Sequence, residues 1–407
     1  MRHPLDLPLP GSVGKESEGR ERLRKSKRPL NSGGKPLPRR STTVQARIIR
    51  ACVAVLIVAP LATSSAQTLR GIVREQASGL PLSGVLIALG RDDNRGSPPV
   101  ATALTNEQGA YSLRAPQAGR YRLGAKRIGV RRYTSVAIDL AESQDVVLDV
   151  ELEALVYQLP TVTVHSEPLC VRRADQAGRV ASLWDEASTA LTATQVSLRD
   201  RLVRARVVRY IRDLNAANLR VEGERWRRQT EGVVDQAFVS LPAEALSRNG
   251  YWRVLPNDSI AWYAPDAAVL LSASFARDHC FSVAEGRGDR TGLTGMEFEP
   301  EAGRETPDVR GTIWLDARTF ELRLVEFRYS RLPYPSSNRN IGGEVHFAKQ
   351  RSGAWIVERW FIRMPRYNKS PTTRSTGIPG VQPIVEFRLT GLVEEGGTVD
   401  VVPRPPM

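Results

Sequence analysis

The chain has 407 residues, room for two or three domains at about 150 residues each. Its 41% hydrophobic and 25% charged content is that of a globular protein and excludes a wholly disordered one. The net charge of +14 suggests nucleic acid, but residues 1–67 hold 13 Lys or Arg against 4 Asp or Glu, leaving 45 against 40 for the rest. The folded part is only mildly basic and shows no recognition helix, finger or aromatic-plus-basic RNA motif, so no nucleic-acid partner is expected.

Residues 1–43 are rich in Pro, Gly, Ser, Lys and Arg without apolar periodicity, and read as a disordered leader or a mis-called start, with translation beginning near Val44. Residues 44–66 read as a signal peptide: Arg47 and Arg50 are basic, residues 51–62 apolar, and Ser64, Ser65 and Ala66 supply a small-residue cleavage site. The apolar run is shorter than the roughly 20 residues of a membrane helix, so no span is expected after cleavage. Export places the protein in the periplasm or at the outer-membrane surface. Cys52 lies within the apolar run and not after a cleavage box, which gives no lipoprotein signal. With Cys52 removed, Cys170 and Cys280 remain, and in an oxidising compartment they are expected to pair. The rival is a reactive thiol beside His279, which no further triad residue supports.

Residues 68–164 read as an all-β unit of the seven-stranded sandwich type. LRGIVRE, VLIALG, VATALT, AYSLRA, YRLGAKRIG, TSVAIDL and VVLDVELEAL are short alternating or β-branched runs separated by Gly, Pro, Asn and Asp. Asn106 and Gly109 suit a hairpin turn between the strands carrying Ala103 and Tyr111. The ordered series Gly71-Ile72-Val73, residues 79–85 (GLPLSGV), residues 105–113 (TNEQGAYSL), residues 119–123 (GRYRL) and residues 128–132 (IGVRR) resembles carboxypeptidase regulatory-like domains. That resemblance implies a transthyretin-like, carbohydrate-binding-like fold. Such domains accompany other units, among them zinc peptidase domains and outer-membrane receptor barrels. Neither companion is legible here, so no peptidase activity is carried over.

Residues 165–216 read as linker and helix. Val180, Leu183, Trp184, Ala187 and Leu191 recur at helical spacing, which predicts a helix around 178–194, while residues 198–210 suit helix or strand equally. Residues 217–396 read as an antiparallel curved sheet, with runs such as VLLSASFARDHCFSVA and IVEFRLTGLV taken as strands, and residues 397–407 as a disordered tail. Asp316 to Thr319 and Lys349 to Gly353 read as tight hairpin connections. Alternation puts Trp360 and Ile362 on one face, with Arg359, Phe361 and Arg363 on the other. The C-terminal pattern is similar to the sheets of periplasmic lipoprotein carriers, which implies either an apolar face able to hold an acyl chain or an ordinary core.

Chemistry is sparse. His165, His279 and His346 have no partner at metal-ligand spacing, and His3 lies in the leader; no metal or cofactor is expected. Glu297, Glu299, Glu301 and Asp308 cluster near a loop, and Asp235 and Asp278 lie near strands, but no nucleophile elbow, phosphate loop or dinucleotide fingerprint accompanies them. The candidate ligand-binding residues are Tyr251, Trp252, Trp262 and Tyr263, two aromatic pairs that would stack on sugar rings if exposed and form core if not. Arg127, Arg131, Arg132 and Tyr133 form a basic rim facing either solvent or anionic polymers. The expectation is a non-catalytic envelope protein that binds or scaffolds an envelope polysaccharide or protein, with a lipid or lipoprotein carrier and an envelope hydrolase as alternatives.

Overall fold

A computed structural model of the chain describes residues 6–7, 67–93, 97–153, 169–234, 236–256, 259–334, 336–371 and 385–402. The expected signal peptide, Cys52, His165 and Asp235 lie outside the described residues. Of the leader, only Asp6–Leu7 is described, a two-residue strand paired antiparallel with Ile260–Ala261.

The sandwich has two sheets. One joins Val150–Leu152, Gln67–Glu75 and Ala110–Ala115, with Asp145–Val147 also on Gln67–Glu75. The other joins Ala101–Leu104, Leu86–Arg91, Gly119–Lys126 and Tyr133–Thr134, with Ile138–Leu140 also on Gly119–Lys126. Strand alternation makes the core: Leu69 and Val73, Ile87 and Leu89, Tyr111 and Leu113, Tyr121 and Leu123 all point between the sheets. The turn at Asn106 forms, its Oδ1 accepting from Gln108 N and Ala110 N, with Gly109 at φ +71°. It is not a hairpin turn, however. Ala101–Leu104 and Ala110–Ala115 belong to different sheets, so the turn arches across the sandwich.

The second unit is an open ten-stranded sheet in the order Cys170–Val171, His279–Glu285, Leu293–Pro300, Val309–Asp316, Leu322–Tyr329, Gly342–Lys349, Trp355–Pro371, Val385–Val401, Arg204–Leu214, Val221–Val233. All neighbours are antiparallel except the first pair. Both expected hairpins form, and Asp316 Oδ1 accepts from Arg318 N and Thr319 N at 3.0 Å. Asp316 is held down to about 2, first by its backbone bond from Thr319 and then by Arg323.

Three expectations are corrected. Residues 204–214 are strand, so the sheet reaches into the expected linker, and strand Val385–Val401 extends into the expected tail. Residues 269–278 are not strand: Ala267–Leu270 and Ala273–Asp278 are short helices. Asp266 and Ser272 cap them, accepting from Val269 N and Phe275 N, and this local bonding outweighs the apolar run's strand preference.

The helix Ala177–Arg199 lies across one face of the sheet. Its Val180, Leu183, Ala187, Ala190 and Leu191 share a core with Phe281, Ile313, Val325, Val345, Trp360 and Ile362. The inner face is thus apolar and filled by the protein's own helices and aromatic rings. No helix among the described residues is long and apolar enough to cross a membrane.

The sandwich is seated on this helix. Lys126 Nζ donates to the Asp185 carbonyl (2.7 Å) and carboxylate (2.6 Å), Arg132 Nη2 reaches the same carboxylate at 2.6 Å, and Arg199 Nη2 donates to Thr102 O at 2.6 Å.

Candidate binding cleft on the outer face of the sheet

The residues singled out from sequence divide between core and surface. Tyr251, Trp262 and Tyr263 are at most 3% exposed. Trp262 lies 6.1 Å from the half-buried Trp252 and 4.9 Å from Tyr329, ring to ring. They form one cluster, as the pairing of Trp252 with Trp262 on adjacent strands requires, but it faces inward and offers no open stacking platform. Of the two alternatives the sequence left open, the burial of Tyr251, Trp262 and Tyr263 is that of core.

Cys170 and Cys280 are disulfide-bonded, directly opposite each other on paired strands, which removes the reactive-thiol alternative. His279 is buried against Phe275, its Nδ1 2.9 Å from Phe275 O and its Nε2 3.1 Å from Val309 O and 3.2 Å from Asp308. Asp308 is fully buried and accepts from Arg304 and Val309 N, and Arg304 also pairs with Asp278 at 3.4 Å. This network ties the short helices to the sheet. Glu297 and Glu299 lie elsewhere, on the sheet's outer face, and Glu301 is exposed in the turn that follows. Of the expected rim, Arg132 meets Asp185, Arg131 pairs with Glu153 at 3.3 Å, and burial lowers the pKa of Arg127. Among the described residues no group of three or more His, Cys, Asp or Glu could hold a metal ion.

The outer face of the sheet carries a cleft of which the sequence reading singled out only Glu297 and Glu299. Strand register aligns Glu297, Thr312, Glu326, Glu344 and Phe361 in one row, and Arg310, Arg328, Gly342, Arg363 and Glu394 in the next. A cleft of about 390 Å³ opens along these rows, with Arg339 and Asn340 on its rim. At Gly342 a Cβ would lie 2.0 Å from Phe327 O, which holds the position to glycine and leaves the row open between Arg328 and Arg363.

Most carboxylates of the cleft are already matched. Arg290 Nη2 donates to Glu326 (3.0 Å) and Glu344 (2.8 Å), and His346 Nε2 lies 2.8 Å from Glu344. Burial would raise Glu344, but the His346 bond and the Arg290 charge outweigh it and lower its pKa. Glu299 pairs with Arg172 at 2.7 Å, and Glu297 accepts from Ser282 Oγ at 2.9 Å. Glu394, its side chain 1% exposed, accepts from Arg363 Nε (2.7 Å), Arg212 Nε (2.9 Å) and Tyr210 Oη (3.1 Å). Burial, and then Glu394, pushes Tyr210 up to about 12. Arg310, Arg328 and Arg339 are exposed and have no ion-pair partner among the described residues. The cleft therefore offers guanidinium forks suited to anions.

No curated protein matches the chain. Among solved structures it is similar to the minor pilin of Streptococcus agalactiae, at 19% identity over 25% of this chain and 49% of that one, with a TM-score of 0.20. The chain thus spans about half the length of that pilin. It is also similar to 5-hydroxyisourate hydrolase of Klebsiella pneumoniae, at 21% identity over 22% and 90% with a TM-score of 0.18. A type II cohesin–X-dockerin complex of Acetivibrio cellulolyticus follows, at 12% identity over 25% and 65% with a TM-score of 0.18. Scores this low carry no argument about function. The family comparison is specific: residues 68–153 match the carboxypeptidase regulatory-like domain, the family that their strand series resembles.

Proposed function

We propose that the protein is an exported, non-catalytic binding or scaffolding protein of the cell envelope, with the outer face of its large sheet as the binding surface. One observation carries this reading: the inner face is filled by the chain's own helix and aromatic core, while the outer face keeps an open cleft with guanidiniums that have no ion-pair partner among the described residues. The sandwich serves as a bracket, fixed to the helix through Asp185 and Arg199. The disulfide suits an oxidising compartment. Resemblance of residues 68–153 to carbohydrate-binding-like sandwiches favours an envelope polysaccharide as ligand.

A lipid carrier would need room inside. The apolar gap between the end of the helix, residues 265–270 and the inner strands is about 50 Å³, against the roughly 300–1,000 Å³ of ordinary ligand pockets. That disfavours the carrier reading.

The test has two arms. Fractionation of the native host with N-terminal sequencing of the mature chain reads the compartment; a cytoplasmic, unprocessed chain overturns export. Purified mature protein is then titrated against isolated envelope polysaccharides, peptidoglycan included, and against solubilised envelope proteins. Saturable binding to one of them is expected, and absence of binding to all overturns the reading.

A further inference from the structure

We propose that the outer-face cleft binds closely spaced phosphate or carboxylate groups through Arg310, Arg328 and Arg339. The inference rests on the binding reading above and names the chemistry its ligand must carry.

Arg310 and Arg328 stand directly opposite each other on neighbouring strands. Like charges so placed repel, and a sheet tolerates the pair only at a loss of stability. Among the described residues no ion pair to Arg310 or Arg328 relieves it. The next carboxylate along the row, Glu394, is held by Arg212 and Arg363, and Glu299 is held by Arg172. In the adjacent row Arg290 spans Glu326 and Glu344. Glu299, Glu326, Glu344 and Glu394 are thus paired internally, whereas Arg310, Arg328 and Arg339 have no ion-pair partner among the described residues. Glu297 remains, oriented by Ser282, and sets a limit on how far an anion can extend toward that row.

The shape agrees with the charge. Gly342 leaves a gap in the arginine row, and Arg363 is kept against the Phe361 ring at 4.1 Å, so that side of the cleft is preformed. A planar guanidinium fork matches a phosphate or carboxylate with two parallel hydrogen bonds. Two forks side by side and a third on the rim suit a ligand bearing several anionic groups rather than one. Such groups occur on anionic envelope polymers and on lipid headgroups, and the cleft chemistry is common to both.

The experiment uses the full mature protein and three probes: inorganic tripolyphosphate, citrate, and vesicles of phosphatidylcholine with or without phosphatidylglycerol. Titration calorimetry and thermal shift are read at low and high salt for the wild type, an Arg310→Gln/Arg328→Gln variant, and an Arg204→Gln/Arg248→Gln control of equal charge change on exposed positions elsewhere. The wild type and the control are expected to bind a soluble polyanion, more weakly as salt rises. The cleft variant is expected to bind at least about tenfold more weakly, the loss of one charge-assisted bond or more. Without ligand, the cleft variant should melt no lower than the wild type, because its repulsion has been removed. Binding to the phosphatidylglycerol vesicles alone, with the same sensitivity to the variant, assigns the anionic groups to a lipid headgroup. Equal binding by wild type and cleft variant, or no binding of any probe by the wild type, overturns the proposal. Should the cleft variant keep full binding to the isolated envelope polysaccharides or proteins, this inference fails while the broader binding function stands.

Discussion

Gly84 of the sandwich and Gly353 of the sheet meet backbone to backbone: a Cβ on Gly353 would lie 2.2 Å from Gly84 N, and one on Gly84 2.8 Å from Gly353 Cα. Both have positive φ, +69° and +83°. Gly353→Ala therefore adds a collision at the junction to backbone strain, and about 2–3 kcal/mol of lost stability is expected. Gly303→Ala separates the two effects. Its φ is +88° with nothing within 4 Å, so it carries strain alone, about 1 kcal/mol. Equal losses in denaturant unfolding of the two variants would mean that the junction contributes nothing.

The second fastening is ionic. Lys126 and Arg132 of the sandwich converge on Asp185 of the helix, and burial lowers the Lys126 pKa even though Asp185 opposes it. Asp185→Asn leaves a largely buried ammonium short of its counter-charge, and a loss of about 2 kcal/mol is expected. Lys126→Met removes the buried charge along with its partner's pull and should be milder. A double-mutant cycle checks this: the loss from Asp185→Asn should shrink by at least half in the Lys126→Met background. An unchanged loss would place Asp185's contribution elsewhere.

Most of the sandwich is legible in the sequence because alternation there coincides with burial, as in Leu69 and Val73 or Tyr121, Leu123 and Ala125. The hairpin at Asp316 is legible for a similar reason, since its turn chemistry is local. Residues 267–278 are misread because Val269, Leu270 and Leu271 look like strand, while the deciding bonds, those accepted by Asp266 and Ser272, are single side-chain caps. The aromatic pairs at 251–252 and 262–263 illustrate a different limit: their spacing shows that they cluster, but not which way the cluster faces. The cleft is illegible for a stronger reason. Arg310, Arg328 and Arg363 become neighbours only through the register of four strands, and the neutralisation of Glu326 and Glu344 depends on Arg290 arriving from a separate turn.

The half-buried Glu186 and the buried Glu395 are expected to make stability depend on pH. Burial raises Glu186 and Glu395 to about 7, and each keeps an oxygen without a hydrogen-bond partner. A carboxyl raised in the folded state leaves stability intact below its unfolded value, near 4.5, and withdraws it as pH rises through about 7. Glu395→Gln mimics the protonated form. Its stability should match the wild type at pH 4.5 and exceed it at pH 8, by on the order of 3 kcal/mol if the whole shift is expressed. Urea unfolding at the two pH values reads the difference directly. A variant equally displaced from wild type at both would show that Glu395 does not titrate in this range.

The disulfide offers the last test, because its effect is set by chain length more than by local contacts. Cys170 and Cys280 are opposite residues of a parallel strand pair, with Cα atoms 4.5 Å apart and a sequence separation of 110. Closing a loop of that length removes conformational freedom from the unfolded chain worth about 4–5 kcal/mol by loop-closure entropy. The bond also pins Cys170–Val171, the edge strand just ahead of the helix, to the sheet it lies against. Cys170→Ser/Cys280→Ser should therefore unfold at much lower denaturant than the oxidised protein, and reductant should shift the wild type by the same amount while leaving the variant unchanged. The half-buried Cys280 should react with a thiol reagent in folded Cys170→Ser and be inert in the wild type. Thiol labelling of the mature wild-type protein as isolated from its host would show that the bond does not form there, and the oxidising compartment inferred from it would lose its support.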